Sequence, residues 1–405
     1  MHSIRHICII FHCDSPLPRL DLQTKHHNTF MIKKLFFLSL ITLGCIGVAK
    51  AQLLPDRTET LNNLIKVNDY FMKKYADYTA PSYRGKLRPS HIWTRGVYYE
   101  GLMALHTIFP RDDYYEYAYN WGEFHKWQLC YGTTSRHADS QCSGQTYVDL
   151  YNICKEPQIL KNVKANIDMV INTPQVNDWT WIDAIQMAMP IYAKLGKITG
   201  DQRYFDKMWD MYCWSRNICG GKGLYNAKDG LWWRDADFVP PYKEPNGEDC
   251  YWSRGNGWVY AALIRVLEEI PATEKHRIDY INDFLSMSKA LKKCQRKDGF
   301  WNVSLHDENN FGGKESSGTA LFIYGMAWGV RNGLLDRNEY LPIILKSWNA
   351  MVKDAVHPDC CLGFVQGTGK EPKDGQPVGY DNLPDFEDYG IGCFLLAGSE
   401  VYKLN

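Results

Sequence analysis

Apolar and polar positions along the chain fall into two alternating kinds of segment. Six stretches begin with a small or polar turn and continue as helices that are apolar and small-residue-rich nearly all the way round. They start at Gly96, Ser143, Ile182, Gly255, Ser317 and Gly390. A helix without a polar face has to be buried on every side. The stretches between them are amphipathic, with charged faces: Thr58–Tyr75, Asp112–Trp127, Glu156–Ile171, Gln202–Trp214, Arg277–Cys294 and Asn338–Val356. Six buried helices alternating with six amphipathic ones predict an all-α (α/α)6 barrel, with the apolar set as an inner ring and the amphipathic set around it. The inner helices' N-terminal ends would share one face, where unpaired N–H groups and positive dipole ends favour anionic ligands. Asp229-Gly-Leu-Trp-Trp and Asp298-Gly-Phe-Trp each predict a short β-hairpin walling that mouth, and Leu362-Gly-Phe-Val is a looser echo.

The N-terminus breaks the pattern. Met31, Lys33 and Lys34 precede an apolar run from Leu35 to Val48 and then Ala49-Lys50-Ala51, the layout of a signal peptide cleaved before Gln52. Residues 1–30 read as an upstream extension, 31–51 as the signal, and 52–405 as one catalytic domain, exported to the periplasm of a bacterium and free of the membrane after cleavage. No later segment has the run of about 18 apolar residues that spans a bilayer.

Composition narrows the function. The 405 residues carry 46 basic and 46 acidic side chains, without the basic excess a nucleic-acid surface requires. Ten of the 13 cysteines follow the signal, with no C-x-x-C pair or Cys/His cluster of a zinc site; buried free thiols are the expectation. The 14 Trp, 26 Tyr and 16 Phe can fill a core, and they equally suit a cleft that stacks on sugar rings.

Several residues at the inner-helix entries carry candidate chemistry. Asp183 opens the third inner helix behind Trp179 and Trp181. It can be a plain helix-start carboxylate, worth about 1 kcal/mol, or a general acid whose pKa aromatic walls raise. Asp139, in Arg136-His-Ala-Asp-Ser-Gln, holds the matching place before the second inner helix and can pair with it; His137 is a partner or a surface residue. In Tyr251-Trp-Ser-Arg-Gly-Asn-Gly-Trp258, Arg254 can fork onto a carboxylate, or cap carbonyls while the glycines allow close packing. Lys314-Glu-Ser-Ser-Gly-Thr319 opens the fifth helix and can be only a cap. No G-x-S-x-G, P-loop, H-E-x-x-H or dinucleotide fingerprint occurs.

The segments Ala138-Asp-Ser-Gln-Cys-Ser-Gly-Gln145, Trp181-Ile-Asp-Ala-Ile-Gln-Met-Ala-Met-Pro190, Trp252-Ser-Arg-Gly-Asn-Gly-Trp258 and Glu315-Ser-Ser-Gly-Thr-Ala320 resemble, in order and rough spacing, glycoside hydrolase family 105. These are the unsaturated rhamnogalacturonyl hydrolases, related to the unsaturated glucuronyl hydrolases of family 88. The resemblance runs from about residue 60 to the C-terminus. It implies an (α/α)6 barrel, no metal or organic cofactor, and an oligosaccharide substrate ending in a 4,5-unsaturated uronic acid. It implies Asp183 as general acid/base, Asp139 as the second carboxylate, Arg254 on the substrate carboxylate, and Trp258, Trp181 and Trp233 as ring-stacking residues, with Thr319 in the same set. Where some members place a histidine, this chain has Arg234 and Asp235, which points to a neighbouring sugar other than rhamnose. Rhamnogalacturonan of pectin, arabinogalactan and ulvan all stay open as sources. A conventional inverting glycosidase, a polysaccharide lyase or a non-catalytic sugar-binding barrel are the competing readings.

Overall fold

The computed structural model describes residues 54–405 apart from Gly85; the expected upstream extension and signal peptide lie outside the described residues. Among the described residues, twelve helices of twelve or more residues follow one another. The odd-numbered ones are α1 (Arg57–Lys74), α3 (Asp112–Phe124), α5 (Pro157–Ile171), α7 (Gln202–Asn217), α9 (Arg277–Lys293) and α11 (Arg337–Asp354). Each buries one stripe only: α5 buries Ile159, Val163, Ile167 and Val170, the three-and-four spacing of an amphipathic helix. The even-numbered ones are α2 (Trp93–Ile108), α4 (Ser143–Cys154), α6 (Asp183–Thr199), α8 (Ser253–Glu269), α10 (Ser316–Arg331) and α12 (Asp388–Tyr402). In α8 every residue from Ser253 to Leu267 is buried.

The even helices pack in sequence, α2 on α4, α4 on α6, α6 on α8, α8 on α10 and α10 on α12, and α12 returns to α2 to close the ring. The (α/α)6 barrel expected from the apolar pattern is therefore the fold. Closure needs two glycines. A Cβ on Gly101 of α2 would stand 2.4 Å from the Gly392 carbonyl oxygen of α12, and one on Gly392 would stand 2.3 Å from the Val97 carbonyl oxygen. Helix α1 also leans on α12, so the first and last of the twelve helices meet.

The lumen of the ring is filled with hydrogen-bonded polar groups. Glu100 of α2 is fully enclosed; its Oε2 accepts a bond from Gln186 Nε2 of α6 at 2.8 Å and lies 3.7 Å from Arg265 Nε of α8. Arg265 Nε donates to Gln145 Oε1 of α4 at 2.9 Å, and Gln145 Nε2 donates to the Gln186 carbonyl at 2.7 Å. Cys142, just before α4, points its thiol at Glu100 Oε1 at 3.5 Å. Four of the six inner helices are thus tied through one buried cluster.

The mouth differs in detail from expectation. Tyr225–Asn226 (β3) pairs antiparallel with Leu231–Trp232 (β4), with Gly230 at φ +69° in the turn, so the Asp229-Gly hairpin forms. Asp298-Gly and Leu362-Gly make only the isolated bridges Trp301 to Glu315 and Val356 to Leu362. A hairpin that alternation did not announce, Ser82–Arg84 (β1) with Lys86–Arg88 (β2), stands before α2. All ten cysteines among the described residues are free, and no described helix is long and apolar enough to cross a membrane.

Burial raises the Glu100 pKa while the Arg265 charge opposes the shift. Arg265→Met would leave this carboxyl without its counter-charge, and is expected to cost about 3–5 kcal/mol in chemical denaturation. Adding Glu100→Gln should recover part of that loss. A loss under about 1 kcal/mol in the single variant would mean that the pair contributes little.

Candidate active site

Asp183 and Arg234 are brought together by backbone pairing. The Ile182 N–H donates to the Arg234 carbonyl at 2.9 Å, and Trp181 bridges Asp235. Trp181 therefore sits in the bridge, Ile182 already has helical backbone angles, and Asp183 becomes the helix's first residue. Its Oδ2 has no hydrogen-bond partner and lies 3.4 Å from Arg234 Nε. Arg234 Nη1 is held in turn by Asp235 Oδ2 at 2.5 Å.

Asp139 sits on a one-turn helix, Ala138–Gln141, ahead of α4. The loop leading to it is locked because Arg136 grips Asp178 (Nε to Oδ1 2.7 Å) and Thr173 (Nη1 to Oγ1 3.0 Å). His137 caps this turn, its Nδ1 accepting from the Asp139 N–H at 3.2 Å and standing 3.9 Å from Asp139 Oδ2.

Both carboxyls open into one cavity of about 430 Å³ at the N-terminal end of the inner ring, with Trp93, Trp181, Met187 and Phe386 as its apolar lining and Arg88 and Arg234 as its cations. Thr368, Gly369 and Asp374 close the remaining side from the long loop before α12. Among the described residues no cluster of three or more His, Cys, Asp or Glu is placed to hold a metal ion.

The residues expected in the site divide into two groups. Asp139, Asp183, Trp181 and Arg234 line the cavity together, and His137 stands behind, its ring 5.1 Å from that of Trp181. Arg254 does not line it. It is 1% exposed, donating from Nη1 to the Gln366 carbonyl (2.7 Å) and from Nη2 to the Gly367 carbonyl (2.9 Å), so it fastens the loop that walls the mouth and cannot fork onto a substrate. Only its field reaches Asp183. Trp258 is fully buried, edge-on to Trp93 with centroids 6.3 Å apart, and offers no face to a sugar. Trp233 is buried against Tyr251, and Thr319 is buried with its hydroxyl accepting from the Trp301 N–H at 3.0 Å. Arg254, Trp258 and Thr319 share one reason, since an inner helix of the ring has almost no surface to give, whereas Trp233 follows β4 and packs inside the mouth hairpin's end. Of the residues missed, Met187 was within reach, since it lies one turn after Asp183 on the same helix face. Trp93 was missed because α2 begins three residues before Gly96. Arg88, Thr368, Gly369 and Asp374 come from loops without periodicity.

Burial raises the Asp139 pKa first and the Asp183 charge raises it further, to about 7, against the pull of Arg234 and Arg88. Asp183 is raised by burial too, while Arg234 and then Arg254 hold it down. Burial thus favours the neutral form of both carboxyls, and the charge on Asp183 adds to that preference at Asp139. Infrared difference spectra of the free protein should show a protonated carboxyl that disappears as pH rises through about 7. In Asp183→Asn the neighbouring charge is gone, so the Asp139 midpoint should fall; an unchanged midpoint would mean that burial alone sets it.

The model of Glycosyl Hydrolase Family 88 matches residues 63–405. A curated relative from Formosa agariphila is 34% identical over 77% of this chain and 84% of its own length. A solved glycosyl hydrolase of family 88 from Bacteroides vulgatus superposes with a TM-score of 0.77, at 31% identity over 86% of this chain and 99% of its own. A structure described as a polysaccharide lyase has the same score and identity over 86% of this chain and 97% of its own. A match over nearly the whole barrel, with the paired aspartates in its mouth, identifies the chain as a member of glycosyl hydrolase family 88.

Proposed function

We propose that this hydrolase removes a terminal 4,5-unsaturated uronic acid from lyase-generated oligosaccharides by hydrating the C4=C5 vinyl ether. The observation that carries this reading is two carboxyls raised by burial, Asp139 and Asp183, facing one cavity at the inner-helix N-termini. A vinyl ether needs a carboxylic acid still protonated near neutral pH, and burial supplies one. Burial raises Asp183 against the pull of Arg234, which lets it hold the proton that the reaction needs. A bound uronate brings another negative charge, which raises both carboxyls. Asp183 then delivers the proton to C4, and the cation left at C5 is stabilised by the Asp139 carboxylate. Water adds at C5 with Asp183 as base, the hemiketal opens, and the leaving sugar departs.

The Formosa agariphila relative is named an unsaturated 3S-rhamnoglycuronyl hydrolase. That name supports rhamnose as the leaving sugar here, and the Arg234–Asp235 pair serves Asp183 without dictating another one. The parent polysaccharide is then rhamnose- and uronate-containing, with pectic rhamnogalacturonan and ulvan both fitting. The stretch Met31–Ala51 supports export to the periplasm.

The lyase named among the structural relatives favours one competing reading, and the same assay separates the two. Added to lyase-generated oligosaccharides, the wild-type protein should bleach the ultraviolet band of the conjugated C4=C5 bond. Asp183→Asn should lose about 100- to 10,000-fold of that rate. A band that grows on intact polysaccharide would establish a lyase instead, and a flat trace on pectic and ulvan products alike would defeat the hydrolase reading.

A further inference from the structure

We propose that Arg88 is the residue that binds the substrate carboxylate and positions the unsaturated ring over the aspartate pair, an inference that rests on the hydrolase reading above. The cavity holds two arginines and three aspartates. Arg234 is engaged by Asp183 and Asp235, and Arg254 is spent on two backbone carbonyls outside the cavity lining. Asp374, on the opposite loop, accepts from the Lys370 N–H at 2.9 Å. Arg88 lines the same cavity, and its Nε is enclosed without a hydrogen-bond partner; no ion pair engages it among the described residues. An enclosed guanidinium N–H without an acceptor is costly to maintain, and an arriving carboxylate removes that cost with a forked pair of charge-assisted bonds.

The charge count points the same way. Arg234 already answers two carboxylates, Asp183 and Asp235. Asp374 adds another negative charge. An anionic sugar entering this space needs a cation with no counter-ion of its own, and among the described residues that line the cavity Arg88 meets that requirement. Its position is also fixed. It ends β2, and Pro89, with its restricted φ, opens the four-residue link to α2. Arg88 shares the cavity lining with Trp93 and lies within electrostatic reach of Asp139.

The test compares the unsaturated disaccharide acid with its uronate methyl ester, which keeps the double bond and loses the charge. Wild type should favour the acid by about 10- to 100-fold in kcat/KM, the scale of a charge-assisted hydrogen-bond pair. Arg88→Ala should lose most of that preference, chiefly through KM, and treat the ester about as wild type does. Arg88→Lys should keep part of the preference, as a point charge without the fork. An undiminished preference for the acid in Arg88→Ala, or an equal loss on acid and ester, would overturn the assignment. A wild-type protein that consumes neither substrate would overturn the hydrolase reading itself, a result distinct from either.

Discussion

Closing six helices into a ring leaves an axis that something must fill, and much of this molecule follows from how that space is occupied. The polar cluster of Glu100, Gln145, Gln186 and Arg265 occupies it with mutual hydrogen bonds. Hydrogen bonds that cross from helix to helix restrict how those helices can slide or rotate. Gln186 lies one turn along α6 from Asp183 and Gln145 lies near the start of α4, so the helices that present the aspartates are held by groups inside the ring. The mouth inherits its rigidity from the lumen.

That arrangement explains why the site is built as it is. Inner helices have no surface except at their ends, so their contribution to a ligand is confined to residues of the first two turns such as Asp183, Met187 and Trp93. Everything else in the cavity is brought by loops: Asp139 by a turn locked through Arg136, Arg234 by the bridge to Trp181, and Asp374 by the segment that Arg254 fastens. The two kinds of arginine make the division clear. One buried deep in the ring secures a wall, and those on the loops face the cavity.

Much of the fold was legible in the chain, because helices buried on all sides and helices with one wet face leave different marks at every turn. The two aspartates were legible as well, since each sits where an inner helix begins and aromatic or turn residues announce it. Arg254, Trp258 and Thr319 were misplaced for a physical reason. A short motif of arginine, glycine and tryptophan looks the same whether it faces a ligand or packs two backbones together, and only burial, a property of the closed ring, decides. Arg88 left no mark, because a three-residue strand pair is too short to alternate visibly and the loop before α12 has no period.

The contact of Gly101 with Gly392 joins the first inner helix to the last. A chain synthesised from its N-terminus cannot complete this ring until its final helix has emerged. Until then α2 shows a groove shaped for a helix that does not yet exist, and α1 lacks the partner on which it leans. The barrel therefore assembles late and all together, its stability is not shared out among six separable hairpins, and a premature stop ahead of Gly392 removes the clasp between the first and last inner helices.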